Sequence, residues 1–325
     1  MSPDDDLRLA LARAVETGAA APLPGEDTAA LWRLLAETAR EDVALARVLE
    51  PHLDALAILA QARTAGVDAD GALRAVDAGP DATWGVFAAE GGDRPLRAEA
   101  DGGAWRLTGV KPWCSLAGVL SHALVTAWVG EDRGLFAIDL RRPEVTAADG
   151  PWHARGLPRV VSAPIELRGA PAAPIGEPGW YLRRPGFSWG GMSVAAVWWG
   201  GAAPVVDALR RAAEREGADQ VSQVAAGTAD ALHWSAGLAL DHAAARVDAG
   251  ATGAEARLLA ARTRAVVADA VRRILELERR ALGPGPVVSD EAHARRVADL
   301  ELYVRQDHGD RDLARLARIA GSDAA

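Results

Sequence analysis

The hydrophobic pattern of this 325-residue chain changes period twice, and that constrains its fold more than any single motif. Residues 7–17, 28–38 and 43–62 are Ala/Leu-rich with apolar residues at helical spacing, such as Leu31, Leu34 and Leu35. Gly18, Pro22, Pro24 and Gly25 punctuate the first two segments, and Asp27-Thr28 offers a cap for the second. A loop is expected from Ala65 to Asp81. From about Thr83 the texture becomes strand-like, and nine of the eleven tryptophans fall between Trp84 and Trp199. Short runs of alternating or β-branched residues appear at Trp84–Ala88, Trp105–Val110, Ala123–Val129, Gly134–Asp139 and Pro164–Leu167. Asp101-Gly102-Gly103, Gly130-Glu131-Asp132 and Asp149-Gly150-Pro151 separate them as turns, the first with a hairpin signature. Strands at this spacing predict a small β-barrel or sandwich.

After a loop at Gly176–Gly190 the helical period returns. Helices are expected over Met192–Glu216, Ala229–Ala249, Ala254–Leu282 and Asp290–Ile319. The third carries a stripe of Leu259, Val266, Val267, Ala270, Val271, Ile274, Leu277 and Ala281, interrupted at Thr263. Gly283-Pro284-Gly285-Pro286 ends it, and Gly321 ends the last. Four such helices read as a bundle. The expected organisation is an N-terminal helical domain (1–82), a middle β-domain (83–185) and a C-terminal helical bundle (186–325), an α+β fold.

Charge and cysteine usage narrow the function classes. A net charge of −9 argues against general affinity for nucleic acid or acidic membranes. The 36 basic residues include a single lysine, Lys111, a bias of a GC-rich genome before it is a functional signal. One cysteine, Cys114, excludes an intrachain disulfide and a Cys-rich zinc site, and reads as a small buried filler. His52, His122, His153, His233, His242 and His293 lack metal-ligand spacing, so no metal is expected. There is no G-x-S-x-G elbow, no Walker loop and no G-x-G-x-x-G turn after a strand. The start is acidic with no leader-type apolar stretch. The longest weakly polar stretch, Met192–Val206, is too short to span a bilayer. A cytoplasmic protein is expected.

One segment carries more chemistry than the rest. Gly109-Val110-Lys111-Pro112-Trp113-Cys114-Ser115 holds the only lysine, then an aromatic ring, then a hydroxyl. By itself it reads equally as a strand end with a buried tryptophan. It resembles the G-x-K-x-W-[IC]-[TS] stretch of the acyl-CoA dehydrogenase family. Gly134–Leu140 resembles that family's next strand, and Gly176-Glu177-Pro178-Gly179-Trp180 its turn out of the β-domain. Gly200-Gly201-Ala202 resembles a small-residue patch where bundle helices approach. The resemblance covers roughly residues 84–319 and implies the acyl-CoA dehydrogenase fold: N-terminal helical layer, middle β-barrel and C-terminal four-helix bundle. It further implies FAD as cofactor, with Trp113 packed on the isoalloxazine and Ser115 bonded to its N5 edge. The first flavin loop corresponds to Phe87-Ala88-Ala89-Glu90-Gly91-Gly92-Asp93. Its threonine, proline and serine are lost, while Gly91 and Gly92 could admit an anion or a flavin carbonyl.

Other family features are missing. The R-x-x-F-G motif that meets FAD pyrophosphate is replaced by Arg210-Arg211 and Arg215, read as a solvated helix end. The G-G-x-G-Y turn that precedes the usual glutamate base is replaced by Gly283–Ser289. Asp290 and Glu291 beyond it read as capping residues. Arg305 and His308 share a face of the last predicted helix, and ion pairs Glu301–Arg305 and Asp307–Arg311 are expected there. His308 is the candidate acid/base, because flavin monooxygenases of this fold commonly bring such a histidine to the flavin. The implied activity is α,β-desaturation of an acyl-CoA or related acyl thioester, a small-molecule substrate. A flavin monooxygenase of the same fold, or a non-catalytic member acting in assembly or ligand binding, are the alternatives. Trp198-Trp199 and the uncharged run Phe187–Val206 predict burial against another copy, in a homodimer or homotetramer.

Overall fold

The computed structural model describes residues 3–147 and 152–322; the turn expected at Asp149-Gly150-Pro151 lies outside them. Four helices come first: α1 (Pro3–Gly18), α2 (Thr28–Glu41), α3 (Val43–Thr64) and α4 (Ala69–Ala75). Seven strands follow: β1 (Trp84–Phe87), β2 (Arg97–Asp101), β3 (Ala104–Lys111), β4 (His122–Val129), β5 (Asp132–Asp139), β6 (Val145–Ala147) and β7 (Ile165–Pro174). The rest is helical: α5 (Trp180–Arg183), α6 (Phe187–Ala213), α7 (Gln220–Asp248), α8 (Gly253–Leu282), α9 (Gly285–Ser289), α10 (Glu291–Tyr303) and α11 (Asp310–Ser322). The order is that of a helical layer, a β-domain and a helical bundle. The chain divides into two compact units. One comprises Met1–Ala21, Val48–His153 and Pro158–Phe187, the other Pro22–Arg47, Ala154–Leu157 and Ser188–Ala325.

In the first unit the sheet closes on itself. Its strand order is β1-β4-β2-β3-β7-β5, and β5 returns to pair with β4. β1 and β2 share one side of β4, running parallel to it at Trp84↔His122 and Arg97↔Trp128. β2 and β3 form a hairpin closed by Gly102-Gly103, both at positive φ (58° and 91°), as the tight two-residue turn requires. β4 is almost continuously apolar because it is covered on both faces. Leu124 joins Leu135, Ala137, Trp84 and Ile175 against Ile58 and Leu59 of α3 and Ala69 and Ala72 of α4. Ala123, Val125 and Ala127, one residue out of phase, fill the other face.

Two elements of this unit escape the hydrophobic pattern. α4 stands inside the stretch expected to be a loop; it is seven residues long and is capped by Asp68, whose carboxylate accepts the Gly71 N–H at 2.8 Å. β2 (Arg-Ala-Glu-Ala-Asp) buries only Ala98 and has little β-propensity. It is a strand because β3 and β4 hold it.

In the second unit Asp27 caps α2 as expected, accepting the Ala30 N–H. Thr28 beside it is fully buried and donates to Asp248 at 2.6 Å. Gly200 and Gly201 do admit close approach: a Cβ on Gly200 would lie 2.1 Å from the Ala36 carbonyl of α2, and one on Gly201 2.9 Å from the Leu300 side chain of α10. α7 begins nine residues earlier than its pattern predicts, at an Asp219 cap. The buried stripe of α8 is rotated from the predicted one: Thr263 is buried on it and Val266 is 45% exposed. At 27 residues α6 is, among the described residues, the one helix long and apolar enough to cross a membrane, contrary to the length read from its sequence. However, 72% of its most apolar stretch is buried in the protein. Trp198 is fully buried, so the uncharged run serves as core rather than as an open face.

The last predicted helix is broken. α10 stops at Tyr303, a 3-10 turn follows over Val304–Gln306, and α11 starts at Asp310. Asp307 is the cause: its buried carboxylate pairs with Arg272 of α8 at 2.5 Å and accepts the Gly309 N–H. The expected Asp307–Arg311 and Glu301–Arg305 ion pairs are therefore replaced, the second by Arg305 Nε donating to the Glu301 carbonyl. Gly321 does not end α11, which continues to Ser322.

Candidate functional site

The chemistry of the first unit gathers at the end of β3. Gly109 (φ +132°) lets the strand pass the incoming 94–96 segment: a Cβ there would sit 2.5 Å from the Pro95 carbonyl oxygen. The Val110 N–H donates to the Arg94 carbonyl at 3.0 Å. Lys111 then turns inward and is 1% exposed. Its ammonium donates to Glu90 Oε1 at 2.7 Å and to Thr126 Oγ1 at 2.8 Å. The other Glu90 oxygen accepts the Trp128 indole N–H at 3.2 Å, and Arg133 Nη1 stands 3.5 Å from Oε1. Burial pulls the Lys111 ammonium below the ordinary lysine value, while the hydrogen bond and charge of Glu90 oppose that fall.

Beyond Lys111 the chain leaves the sheet in an arm held by backbone bonds. Cys114 N–H donates to the Ala163 carbonyl at 3.1 Å, and Leu116 N–H to the Val161 carbonyl at 2.7 Å. Trp113 and Leu116 both adopt left-handed backbone, φ 59° and 63°. Bulky residues rarely do so, and such strain persists where surrounding structure imposes it. Of the two readings that the stretch left open, the buried strand-end ring fails: Trp113 is 66% exposed. Val119 and Val161, also exposed, add apolar surface on the same arm and its partner segment. Ser115 is buried, its hydroxyl 2.7 Å from Ser162 Oγ. Cys114 is buried, its thiol donates to the Lys111 carbonyl at 3.2 Å, and desolvation pushes its pKa up to about 12, so it is an inert filler.

Gly91 and Gly92 follow Glu90 directly. Both are exposed at positive φ (147° and 82°), and no atom lies within 4 Å of where a side chain would start. The turn thus leaves room beside its backbone for a ligand to approach. The first unit therefore brings Gly91, Gly92, Lys111, Trp113 and Ser115 onto neighbouring segments.

His308 belongs to the second unit. Its side chain is 65% exposed and stands 3.5 Å from Asp312 in the first turn of α11. Asp290 caps α10 by accepting the His293 N–H, and Glu291 is exposed in its first turn. Arg210 is engaged by Asp207 and Asp230, while Arg211 and Arg215 are exposed. Among the described residues no group of three His, Cys, Asp or Glu side chains could hold a metal ion.

Sequence reasoning quoted Glu90 only as part of a glycine loop, and it did not find Thr126, Trp128 or Arg133. No local spacing links Glu90 to a lysine 21 positions away. A lone lysine after an apolar strand was the available signal.

No protein-family model matches the chain, and no curated protein matches it by sequence. Solved structures do match. KijD3, solved with FMN and dTDP-3-amino-2,3,6-trideoxy-4-keto-3-methyl-D-glucose, superposes with a TM-score of 0.78 at 19% identity, over 98% of this chain and 92% of that one. FMN-bound TdsC from Paenibacillus sp. A11-2 gives 0.74 at 16% identity, over 90% of this chain and 83% of that one. Glutaryl-CoA dehydrogenase from Mycobacterium smegmatis gives 0.74 at 20% identity, over 91% of this chain and 82% of that one. The chain has the acyl-CoA dehydrogenase fold.

Proposed function

We propose that the chain is a flavin-dependent oxidoreductase. The observation that carries this reading is Trp113: a large ring, 66% exposed, fixed in strained left-handed backbone within a few residues of a buried hydroxyl. A ring held that way is preorganised for a flat partner. The residues fit a flavin. Trp113 offers a face for stacking, Gly91 and Gly92 offer an exposed turn with no side chain in the way, and Ser115 offers a hydroxyl anchored by Ser162. A bound flavin would supply hydride and electron exchange, chemistry that no side chain of this site possesses. The chain's own part is to bind, to orient and to keep water from one face.

FMN fits this chain better than the FAD implied by the family resemblance. The arginine motif for the FAD pyrophosphate is absent, and Arg210 in its place is taken by Asp207 and Asp230. KijD3 and TdsC both carry FMN in their structures.

Within this class, oxygen-using monooxygenation is favoured over acyl desaturation. Desaturation needs a carboxylate to take the α-proton. Gly283–Ser289 contains none, and Asp290 is committed as a helix cap. TdsC is a dibenzothiophene monooxygenase, which supports the same choice. Titration of the purified protein with FMN and with FAD tests the class, read by visible absorbance and tryptophan quenching. Absence of flavin bands and of quenching at saturating flavin would sink it, leaving the non-catalytic reading. Oxygen uptake with NADH and a partner reductase, set against anaerobic bleaching by acyl-CoA, separates the two reactions.

A further inference from the structure

The Glu90–Lys111 pair has no part in the chemistry above. Lys111 is among the largest fully buried side chains of the protein and the only lysine among 36 basic residues. Glu90 is no free base, because Lys111, Thr126 and Trp128 donate to its carboxylate and Arg133 stands beside it. What the pair does is visible in the path of the chain. The Gly91-Gly92 turn is tied at both ends to the same strand end. Glu90 ties one side through the Lys111 ammonium, and the Arg94 carbonyl ties the other through the Val110 N–H. Only residues 91–93 span the two ties. On its other side Lys111 leads directly into the Trp113 arm, and its carbonyl accepts the Cys114 thiol.

We propose that Glu90 and Lys111 are positioning residues of the cofactor site, their ion pair fixing the Gly91-Gly92 turn and the Trp113 arm relative to each other. The functional consequence rests on the flavin reading; the geometric one does not. Losing the lysine frees the turn at one end, and neutralising Glu90 weakens the tie and leaves the buried ammonium with Thr126 and an uncharged acceptor. Replacing both partners with neutral groups of similar shape restores packing without restoring the tie.

Three variants test this: Lys111→Met, Glu90→Gln and the double variant. Hydrogen exchange of the flavin-free protein should rise in residues 88–94 and 112–119 in each, while β4 and β5 stay protected. FMN affinity should fall about tenfold or more in the folded singles, within the usual range for coupled neighbouring sites. The double variant should regain thermal stability but not affinity, and the visible circular dichroism of its bound FMN should differ from wild type. A purely structural pair lowers thermal stability too but differs in the rest: exchange rises evenly across the barrel, and affinity is unchanged in the folded fraction. That result overturns the proposal, as does a double variant binding FMN like wild type. If Lys111→Met does not fold, Glu90→Gln, which keeps the shape and a hydrogen-bond acceptor, carries the test. If wild type binds no flavin, the flavin reading falls, and unaltered exchange in the two segments would separately sink the positioning role.

Discussion

At the scale of residues, Trp113 and His52 make opposite kinds of prediction. Trp113 is exposed and strained, so the fold has little invested in it. Trp113→Gly should raise the flavin-free stability by about 1 kcal/mol through relief of the left-handed backbone. It should also weaken flavin retention, and paired thermal melts and FMN titrations check both halves. Unchanged flavin content in Trp113→Gly would remove this ring from the site. His52 is buried, and its Nδ1 accepts the Trp84 N–H at 3.3 Å. Desolvation pushes its pKa from 6.5 down to about 4. The folded state thus resists a proton that the unfolded state takes up. The stability this contributes is fully present above about pH 6.5 and is lost as pH falls toward 4, by about 3 kcal/mol in all. Urea unfolding at pH 7 and pH 4 measures it, and His52→Asn should flatten the difference. The motif from Gly109 to Ser115 was legible in the sequence. The exposure of Trp113 was not, because a tryptophan after a strand reads as core. The partner of Lys111 was not, because ion pairs between distant segments leave no periodic trace.

At the scale of elements, the runs with strong period were found and the weak ones were not. β1, β3, β4 and β5 lie where alternating and β-branched residues put them, within a few residues. β7 extends seven residues beyond its predicted end, through an Ala- and Pro-containing tail held by β3 and β5. β2 and α4 owe their existence to neighbours and caps. The break before α11 comes from Arg272, more than thirty residues upstream of Asp307. The crossing at Gly109 predicts a large single-site effect. Gly109→Ala would drive a methyl into the Pro95 carbonyl at 2.5 Å, with Leu96 Cα at 2.9 Å, from a backbone that L-residues rarely adopt. A loss of about 2–4 kcal/mol is expected, combining overpacking with backbone strain. A urea midpoint within error of wild type would mean that the 94–96 segment yields freely.

At the scale of the whole molecule, the succession of helical layer, barrel and bundle was legible. The division of the N-terminal helices between two units was not, since a helix stripe shows that it is buried but not against what. The case for self-association shifts likewise. α6 spends its apolar residues in the core, but α7 leaves Val221, Val224, Trp234 and Leu238 exposed. These carry the expectation of a dimer or tetramer. Light scattering at micromolar concentration should report one, and Trp234→Glu with Leu238→Glu should shift it toward monomer. A monomeric wild type refutes the expectation. The closed sheet has a consequence for biosynthesis. β3 and β5 are made early, and the strand that pairs with both, β7, ends only at Pro174. A nascent chain therefore carries two unpaired strand edges for some seconds, at a ribosome's pace of about 5–20 residues per second. Truncations ending before Ile165 should accordingly be caught by chaperones or aggregate, whereas those ending just past Gly179 should not.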